Sequence, residues 1–228
     1  MSSYTLPALD SRLALIASMV PQGTVVADIG TDHGYLPIWL LKSGKIGKAI
    51  AADIGEGPLL SAKTNAKKYE ADLECILSDG FKNINGNSFD TAVIAGMGGE
   101  LISKILSEAP FEIDESKTFI LQPMTAAKEL REYLYKEGYS ILTESTLKDM
   151  GKIYSVMMVQ RLYKKEIFDE TYFYMGKIEP FTNESEAYAI KVINGLKNKI
   201  KGYEHKGDAE GINKTYELIN KIKEKYLK

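Results

Sequence analysis

One segment near the N-terminus, residues 25–37, constrains the fold of this chain more than any other. It begins with an apolar, β-branched run at residues 25–29 and continues through a turn punctuated by Gly30 and Gly34. A buried strand that runs through such a turn into a helix is the place where an open α/β sheet holds a nucleoside-containing ligand. We therefore predict a parallel sheet with a binding crevice at the carboxyl end of its first strand.

The chain up to about residue 160 carries the rhythm that such a sheet requires, because short apolar runs alternate with amphipathic helical segments. Strands are predicted at residues 24–29, 48–53, 73–77, 89–95, 117–121, 139–145 and 153–160, and helices at residues 10–19, 35–43, 57–69, 99–108 and 125–137. Only a short polar segment separates the last two strands, so they are predicted to form an antiparallel hairpin. By analogy of fold, this pattern indicates the α/β sheet of Rossmann-like methyltransferases.

After residue 160 the pattern changes to that of two helices. Apolar residues recur at spacings of three and four over residues 189–203 and again over residues 212–226, with a turn at residues 206–208 between them. Thr182 or Asn183 is predicted to cap the first of these helices. We predict two domains, residues 1–160 with the sheet and residues 161–228 forming a C-terminal helical hairpin, or short coiled coil.

Charge and cysteine content exclude several classes of protein. The 228 residues carry a formal net charge of −2, and only residues 161–228, with 14 Lys and Arg against 11 Asp and Glu, are mildly basic. The single cysteine, Cys75, excludes an internal disulfide and fits the cytoplasm. The apolar stretch at residues 13–20 is too short to cross a membrane, and the two distant histidines give no metal cluster. We expect a monomer without a metal or a membrane segment.

The first turn discriminates between cofactors. A dinucleotide fingerprint that starts at Gly30 needs glycines at positions 32 and 35, where this chain has Asp32 and Tyr35. An anionic side chain is unfavourable where a diphosphate would lie. S-adenosylmethionine has no phosphate and carries a sulfonium and an ammonium, so Asp28 and Asp32 favour it. The alternative is an ordinary strand, turn and helix in which Asp32 caps the helix.

Two carboxylates downstream extend this interpretation. Asp53 ends the second predicted strand, 25 residues after Asp28, where a carboxylate can accept both ribose hydroxyls. Asp79 and Gly80 follow the third strand, where a carboxylate can contact the amino group of adenine. Ordinary turn residues are the alternative at both places, since acidic residues are common in turns.

A cluster of small residues, 95–99, follows the fourth predicted strand. Methyltransferases that act on the amino groups of nucleobases carry an Asn/Asp-Pro-Pro-aromatic motif there, and this chain lacks it. Small residues leave room for a flat group beside the methyl donor, and a ring nitrogen with a free lone pair needs no proton removed before attack. Close packing of a helix on the strand explains the glycines equally well.

In combination, residues 28–37, Gly57-Pro58, residues 95–99 and Leu121-Gln122-Pro123 resemble the bacterial TrmK family of tRNA (adenine-22-N1)-methyltransferases. The likeness covers essentially the full chain, including an Arg12-Leu13 pair, a Gly151-Lys152-x-Tyr154 turn and the helical tail. The resemblance implies a class I methyltransferase sheet of seven strands. It also implies methyl transfer from S-adenosylmethionine to N1 of an adenine in the D-arm of tRNA, with the coiled coil helping to grip the RNA.

The motifs assign candidate residues to this site. Those predicted to bind the cofactor are Asp28, Gly30, His33, Gly34, Tyr35, Asp53, Asp79, Gly80, Ala95, Gly96 and Met97. Those predicted to contact the substrate are Gly98, Gly99, Gln122, Pro123 and Tyr154, and the catalytic candidates are Asp10, Arg12 and Asp32. A carboxylate would stabilise the cationic product, and Arg12 would contact a phosphate or form a surface ion pair. Met124 and Ser155 depart from the family pattern, which often has Asn and Glu there.

The lysines of the tail are predicted either to contact RNA or to form an ordinary solvated face: Lys191, Lys197, Lys199, Lys201, Lys221, Lys223, Lys225 and Lys228. Two other functions stay open. A small-molecule methyltransferase would suit the weak net charge, and a non-enzymatic cofactor-binding module would use the tail to bind proteins. An oxidoreductase that uses NAD is disfavoured by Asp32 and Tyr35.

Overall fold

The structure, a computed structural model, describes residues 6–163 and 167–227, so Lys228 and residues 1–5 lie outside the described residues. The strands are β1 (Val25–Ile29), β2 (Lys48–Asp53), β3 (Leu73–Leu77), β4 (Thr91–Gly98), β5 (Thr118–Thr125), β6 (Tyr139–Asp149) and β7 (Lys152–Arg161). The helices are α1 (Ser11–Met19), α2 (Tyr35–Lys42), α3 (Glu56–Lys68), α4 (Gly99–Ser107), α5 (Ala127–Lys136), α6 (Glu170–Met175), α7 (Asn183–Lys206) and α8 (Ala209–Tyr226).

The seven strands form one sheet in the order β3-β2-β1-β4-β5-β7-β6. Strands β1 to β5 are parallel, whereas β7 pairs antiparallel with both β5 and β6. The predicted sheet with an antiparallel last pair is therefore confirmed. Strand order reverses between β1 and β4, and ligands of open α/β sheets bind outside the carboxyl ends of the strands at such a point.

Apolar side chains cover both faces of the sheet, which explains the uninterrupted apolar runs of its central strands. Along β1, Ala27 and Ile29 belong to a core cluster that contains three buried phenylalanines, whereas Val26 points into a second cluster with α1 and α2. The same alternation places Ile120 of β5 on the face of Val26. The sheet is thus a rigid layer whose strand ends are positioned by packing on both sides.

Strands β4 and β5 are longer than predicted. The cluster of small residues was expected after β4, but β4 runs through Gly98 by means of register shifts on either side of Met97. These irregularities turn the end of the strand, and bulges of this kind are not visible in a pattern of hydrophobicity. Strand β6 also continues to Asp149, because it pairs with β7 along its whole length.

The tail forms the predicted helical hairpin, α7 and α8. Thr182 caps α7 in a reciprocal capping box with Ser185, and Gly207 ends it with a φ of 68°. The apolar faces of both helices join one buried cluster that also includes Ile153 of β7. Helix α6 was not predicted, because six residues are too few for a helical period to show. A division of the chain at residue 160 stays a prediction.

A buried ion pair connects the sheet to the tail. Arg131 of α5 and Glu144 of β6 are both inaccessible to solvent, and the guanidinium also donates to the carbonyl oxygens of Phe173 and Tyr174, each at 3.0 Å. The Lys177 backbone N–H donates to the second carboxylate oxygen of Glu144 at 3.0 Å. These contacts fix the start of the tail against α5 and β6.

Candidate functional site

A cavity of about 350 Å³ opens at the carboxyl ends of β1 and β4, where the strand order reverses. It is lined by Asp10, Arg12, Leu13, Asp28, Gly30, Thr31, Asp32, His33, Gly34, Tyr35, Leu36, Ala95 and Gly96. The structure thus brings the residues predicted in the first turn together with the three catalytic candidates. A larger cavity, about 740 Å³, lies between α6 and α8; Lys221 and Lys225 of the tail line it, but none of the residues predicted to bind the cofactor does.

Asp28 supplies a buried negative charge to this cavity. Asp28 is the last residue but one of β1, and it is 8% exposed. Burial raises the pKa of Asp28 to about 6, an effect that the Thr31 hydroxyl and Arg12 oppose and that Asp53 reinforces. A carboxylate that has lost most of its hydration favours a cationic partner, because pairing restores the stabilisation of its charged form. The site therefore suits a ligand with a positive group.

Gly30 makes room at the base of the cavity. Its φ is 80°, and a Cβ atom there would clash with the methyl carbon of Met97. The backbone conformation therefore favours glycine at this position, and a larger residue would displace the flexible end of the Met97 side chain. Gly34, with a φ of 69°, stands at the N-cap of α2 without a side-chain hydrogen bond, so the alternative role of Asp32 as the helix cap is wrong.

Gln122 joins the ends of β4 and β5 to α1. Its Oε1 accepts the Gly96 backbone N–H at 3.1 Å and Arg12 Nη1 at 3.3 Å. Arg12 Nη2 lies 3.8 Å from Asp10 Oδ2, and the other carboxylate oxygen of Asp10 caps α1 by accepting the Leu13 N–H at 2.7 Å. The fully buried amide of Gln122 thus holds the irregular end of β4 and positions Arg12 at the cavity.

Two aromatic rings form part of the cavity lining after the first turn. His33 and Tyr35 stack with their ring centroids 5.5 Å apart. His33 Nε2 lies 3.5 Å from Asp32 Oδ2, and the His33 carbonyl accepts a hydrogen bond from the Asn65 side chain at 3.0 Å. Helix α3, which carries Asn65, therefore helps to hold the turn in place.

The carboxylates predicted downstream lie outside the lining of this cavity. Asp53 Oδ1 accepts the Gly55 N–H at 2.7 Å, and Asp79 Oδ2 lies 2.5 Å from Lys82 Nζ. The hydrogen bond and charge of Lys82 lower the pKa of Asp79. Gly80 has a φ of 58° and packs over Ile105. Ribose and adenine contacts at these residues stay predictions.

Two exposed apolar residues at the same sheet edge were missed from the sequence. Ile54 follows Asp53 and is 71% exposed, and Leu77, which pairs with Asp53 across β2 and β3, is 46% exposed. Apolar side chains left in water beside a ligand-binding edge suit the flat faces of a purine. The sequence did contain a signal for this surface, namely an isoleucine, Ile54, directly after the acidic residue Asp53 that ends β2.

The residues predicted to contact substrate do not lie together: some have packing roles, and Pro123 lines a second groove. Gly98 lies at the N-cap of α4, and a Cβ atom on Gly99 would clash with the Ala126 carbonyl, so close packing explains Gly99. Tyr154 is buried in the cluster that contains α1, with Lys191 Nζ 5.6 Å from its ring centroid. Pro123 lines the groove described next.

This groove, about 330 Å³, lies between the end of β5, the start of α5 and α7. Lys128, Lys191 and Lys199 line it together with Tyr174 and Tyr188. Lys191 Nζ donates to the Ile153 carbonyl at 2.8 Å. We call this cavity the lysine groove.

Met124 and Ser155, which depart from the family pattern, also line the lysine groove. The sulfur of Met124 lies 3.5 Å from Gln122 Nε2, and the Ser155 hydroxyl lies 3.4 Å from Arg131 Nη2.

Two absences apply to the part of the chain that the structure describes. No group of three or more His, Cys, Asp or Glu side chains there is arranged to hold a metal ion. No helix there combines the length and the apolar character needed to cross a membrane.

Comparison with known proteins identifies the family. Residues 9–157 match the family model described as a methyltransferase domain. The tRNA (adenine(22)-N(1))-methyltransferase of Bacillus subtilis is 39% identical over 154 residues, which cover 67% of this chain and 65% of that protein. The structure of M. capricolum TrmK in complex with S-adenosyl-homocysteine superposes with a TM-score of 0.80 at 25% identity, covering 94% of this chain and 97% of that one. The chain belongs to the TrmK family.

A second solved structure supports the same conclusion. Sp1610 of Streptococcus pneumoniae, described as a putative tRNA (m1A22) methyltransferase and solved with S-adenosyl-L-methionine, has a TM-score of 0.76 and 30% identity over 93% of this chain and all of that one. The predicted family and the predicted methyltransferase fold are both confirmed.

Proposed function

We propose that this chain transfers the methyl group of S-adenosylmethionine to N1 of adenine 22 in tRNA. The observation that carries the proposal is the cavity at the strand ends, where buried Asp28 faces a space lined by Gly30 and Gly96. Asp32 and Tyr35 occupy the positions where a diphosphate would need glycines. Membership in the TrmK family supports the substrate, since the related Bacillus subtilis protein is a tRNA (adenine(22)-N(1))-methyltransferase.

The residues present fit this cofactor. When bound, S-adenosylmethionine supplies an electrophilic methyl group on a cationic sulfur. Asp28 would bind the cationic amino acid part, and the exposed side chains of Ile54 and Leu77 would cover the purine. Asp53, at the end of β2, would bind the ribose.

The chain contributes position and charge rather than a nucleophile. The adenine N1 carries its own lone pair, so alignment with the methyl carbon supplies most of the rate. Asp10 and Asp32 line the cavity, and either carboxylate would stabilise the positive charge that appears on the methylated base. Arg12, held by Gln122, would orient a phosphate or the base at the cavity mouth.

The tRNA would lie across the sheet edge and the tail. Lys128, Lys191 and Lys199 of the lysine groove face the carboxyl end of β5, next to Pro123. Phosphate contacts by lysines would provide affinity without reading sequence. We further propose that the enzyme acts as a monomer in the cytoplasm, which suits its single cysteine.

The test is methyl transfer itself. The full chain is incubated with labelled S-adenosylmethionine and unmodified tRNA, and the label is located by nuclease digestion and mass spectrometry. The expected product is 1-methyladenosine at a single position. Transfer to metabolites alone would identify a small-molecule methyltransferase instead, and cofactor binding without transfer to any RNA would identify a binding module.

A further inference from the structure

The ribbon formed by β6 and β7 reaches past the sheet at the edge that carries the site. Strand β7 pairs with β5 only between residues 157–159 and 119–121, whereas β6 and β7 stay paired as far as Asp149 and Lys152. Because β7 runs antiparallel to β5, its first residues lie at the edge where the parallel strands end. The turn of the ribbon, Met150 and Gly151, therefore lies on the same side of the molecule as the cavity.

The turn carries a large apolar side chain that a hairpin does not favour. Both turn residues have positive φ, 45° at Met150 and 78° at Gly151, the pattern of a type I′ turn. Asn, Asp and Gly are the residues preferred at the first of these positions, since other side chains are strained there. Met150 is nevertheless 95% exposed. The chain thus places an apolar side chain in water, on a strained backbone, at the tip of a ribbon.

The base of the ribbon is held firmly beside the cavity. Leu147 and Tyr154 pack in one cluster with Leu13, which itself lines the cavity. On the other side, Ile153 packs into the core of the helical hairpin, and Lys191 binds its carbonyl oxygen. Packing from both sides fixes the direction in which the tip points.

Two cations flank the tip. Lys148 and Lys152 are exposed on the two strands next to the turn, and Asp149 lies directly opposite Lys152 in the ladder. Lysines beside an apolar tip match the chemistry of a nucleic acid, whose phosphates lie outside its stacked bases.

We propose that Met150 enters the base stack of the substrate RNA next to the target adenine and holds open the space that the adenine leaves. The inference rests on the proposed function. N1 lies on the pairing edge of adenine, so a paired adenine must leave the stack before its N1 reaches the cavity. Apolar side chains that wedge between bases stabilise such an opened stack. Met150 is then a positioning residue, and Lys148 and Lys152 would hold the neighbouring phosphates.

The test compares Met150→Asn with the wild type. The substitution creates an Asn-Gly turn, which suits positive φ at both positions, so the free energy of unfolding is expected to hold or rise. The affinity for S-adenosylmethionine is expected to stay unchanged, while kcat/KM on folded tRNA falls about tenfold or more. Ile167→Asn, which removes another apolar side chain, 98% exposed, is the matched control and is expected to leave kcat/KM unchanged.

A second substrate separates base opening from general damage. In this tRNA the partner of the target adenine is replaced so that the adenine is unpaired. Met150→Asn is expected to recover most of the wild-type rate on it. The proposed role of Met150 would be overturned if Met150→Asn kept the wild-type rate on folded tRNA, or if its kcat/KM fell equally on both substrates. The proposed function would survive either result. A wild-type enzyme that transfers no methyl group to tRNA would overturn the proposed function as well.

Discussion

Arg131 Nη2 lies 2.6 Å from Glu144 Oε1 inside the protein, where neither side chain is accessible to solvent. The same nitrogen contacts the Tyr188 hydroxyl at 3.0 Å, so the pair reaches from α5 and β6 into α7. Gly176 passes so close that a Cβ atom there would clash with the Glu144 carboxylate. The pair and the backbone around it form a specific connection between sheet and tail.

Replacing Arg131 with Met is expected to lower the free energy of unfolding by about 3–5 kcal/mol, because Glu144 is left buried without its partner. Denaturant titration measures the change. Lys128→Met is the matched control, since it removes an exposed pair with Glu132 and is expected to cost less than about 1 kcal/mol. A loss for Arg131→Met no larger than that of the control would contradict the account of the buried pair.

Gly30→Ala is expected to weaken cofactor binding and to lower the free energy of unfolding by about 1–2 kcal/mol, because alanine is strained at a φ of 80° and the new Cβ atom displaces the end of the Met97 side chain at the cavity. Gly23→Ala provides a close control. Gly23 has the same φ, 80°, but nothing within 4 Å of its added Cβ, so only backbone strain of about 1 kcal/mol is expected. Thermal unfolding and calorimetry with S-adenosylmethionine measure both effects, and equal cofactor affinities of the two variants would argue against a role for Gly30 in the site.

The raised pKa of Asp28 predicts a pH dependence of cofactor affinity. Since its pKa is about 6 in the folded protein, affinity for the cationic cofactor is expected to increase as the pH rises through 6. Calorimetry between pH 5 and pH 7.5 measures this change. Asp28→Asn is expected to bind more weakly, with an affinity that no longer changes near pH 6.

The Asp28 carboxyl affects the stability of the fold in the opposite direction, because the free energy of unfolding falls as the pH rises. The pKa of Asp28 in the folded protein lies above the ordinary aspartate value of 3.8, so the folded state holds the proton more tightly. The contribution is present below pH 4 and is lost as the pH rises to 6, by about 3 kcal/mol in total. Asp28→Asn should therefore be more stable than the wild type at pH 7 without cofactor, and an equal or lower stability would contradict the burial of this charge.

Ile54→Ala is expected to weaken binding of S-adenosylmethionine about fivefold, because a purine would lose roughly 1 kcal/mol of apolar contact. Leu60→Ala is the control, since Leu60 is 67% exposed, similar to Ile54, but belongs to α3 and not to the strand ends. The enzyme carrying the control substitution should bind the cofactor as the wild type does. Equal affinities for all three proteins would remove Ile54 from the site.

Charge removal in the lysine groove is expected to weaken tRNA binding. Lys199→Gln should reduce the slope of log affinity against log salt by about one, the value for one lost phosphate contact. Lys67→Gln on α3, a lysine outside the groove lining, should not change that slope. Filter binding at several salt concentrations measures it. Identical slopes for both variants would exclude Lys199 from the RNA interface, while affinity for S-adenosylmethionine serves as a check on folding.

The sequence predicted the sheet well because its central strands are buried on both faces and contain continuous apolar runs, as in β4 and β5. The geometry around Gly30 followed from its place after β1. The register shifts next to Met97 were not predictable, since they depend on hydrogen bonds with β5, such as that between Gly96 and Gln122. Arg131 and Glu144 were missed because charged residues are usually exposed, and only the tertiary structure brings them together.

Strand β7 has a further consequence for how the enzyme would meet a large ligand. At one end it is hydrogen-bonded to β5, and at the other Ile153 is buried in the core of the helical hairpin. One strand is therefore shared by the sheet and the helical hairpin, so a displacement of α7 would pass through β7 to the strand ends at the cavity. Contact of a large ligand with the hairpin would then be felt at the cavity.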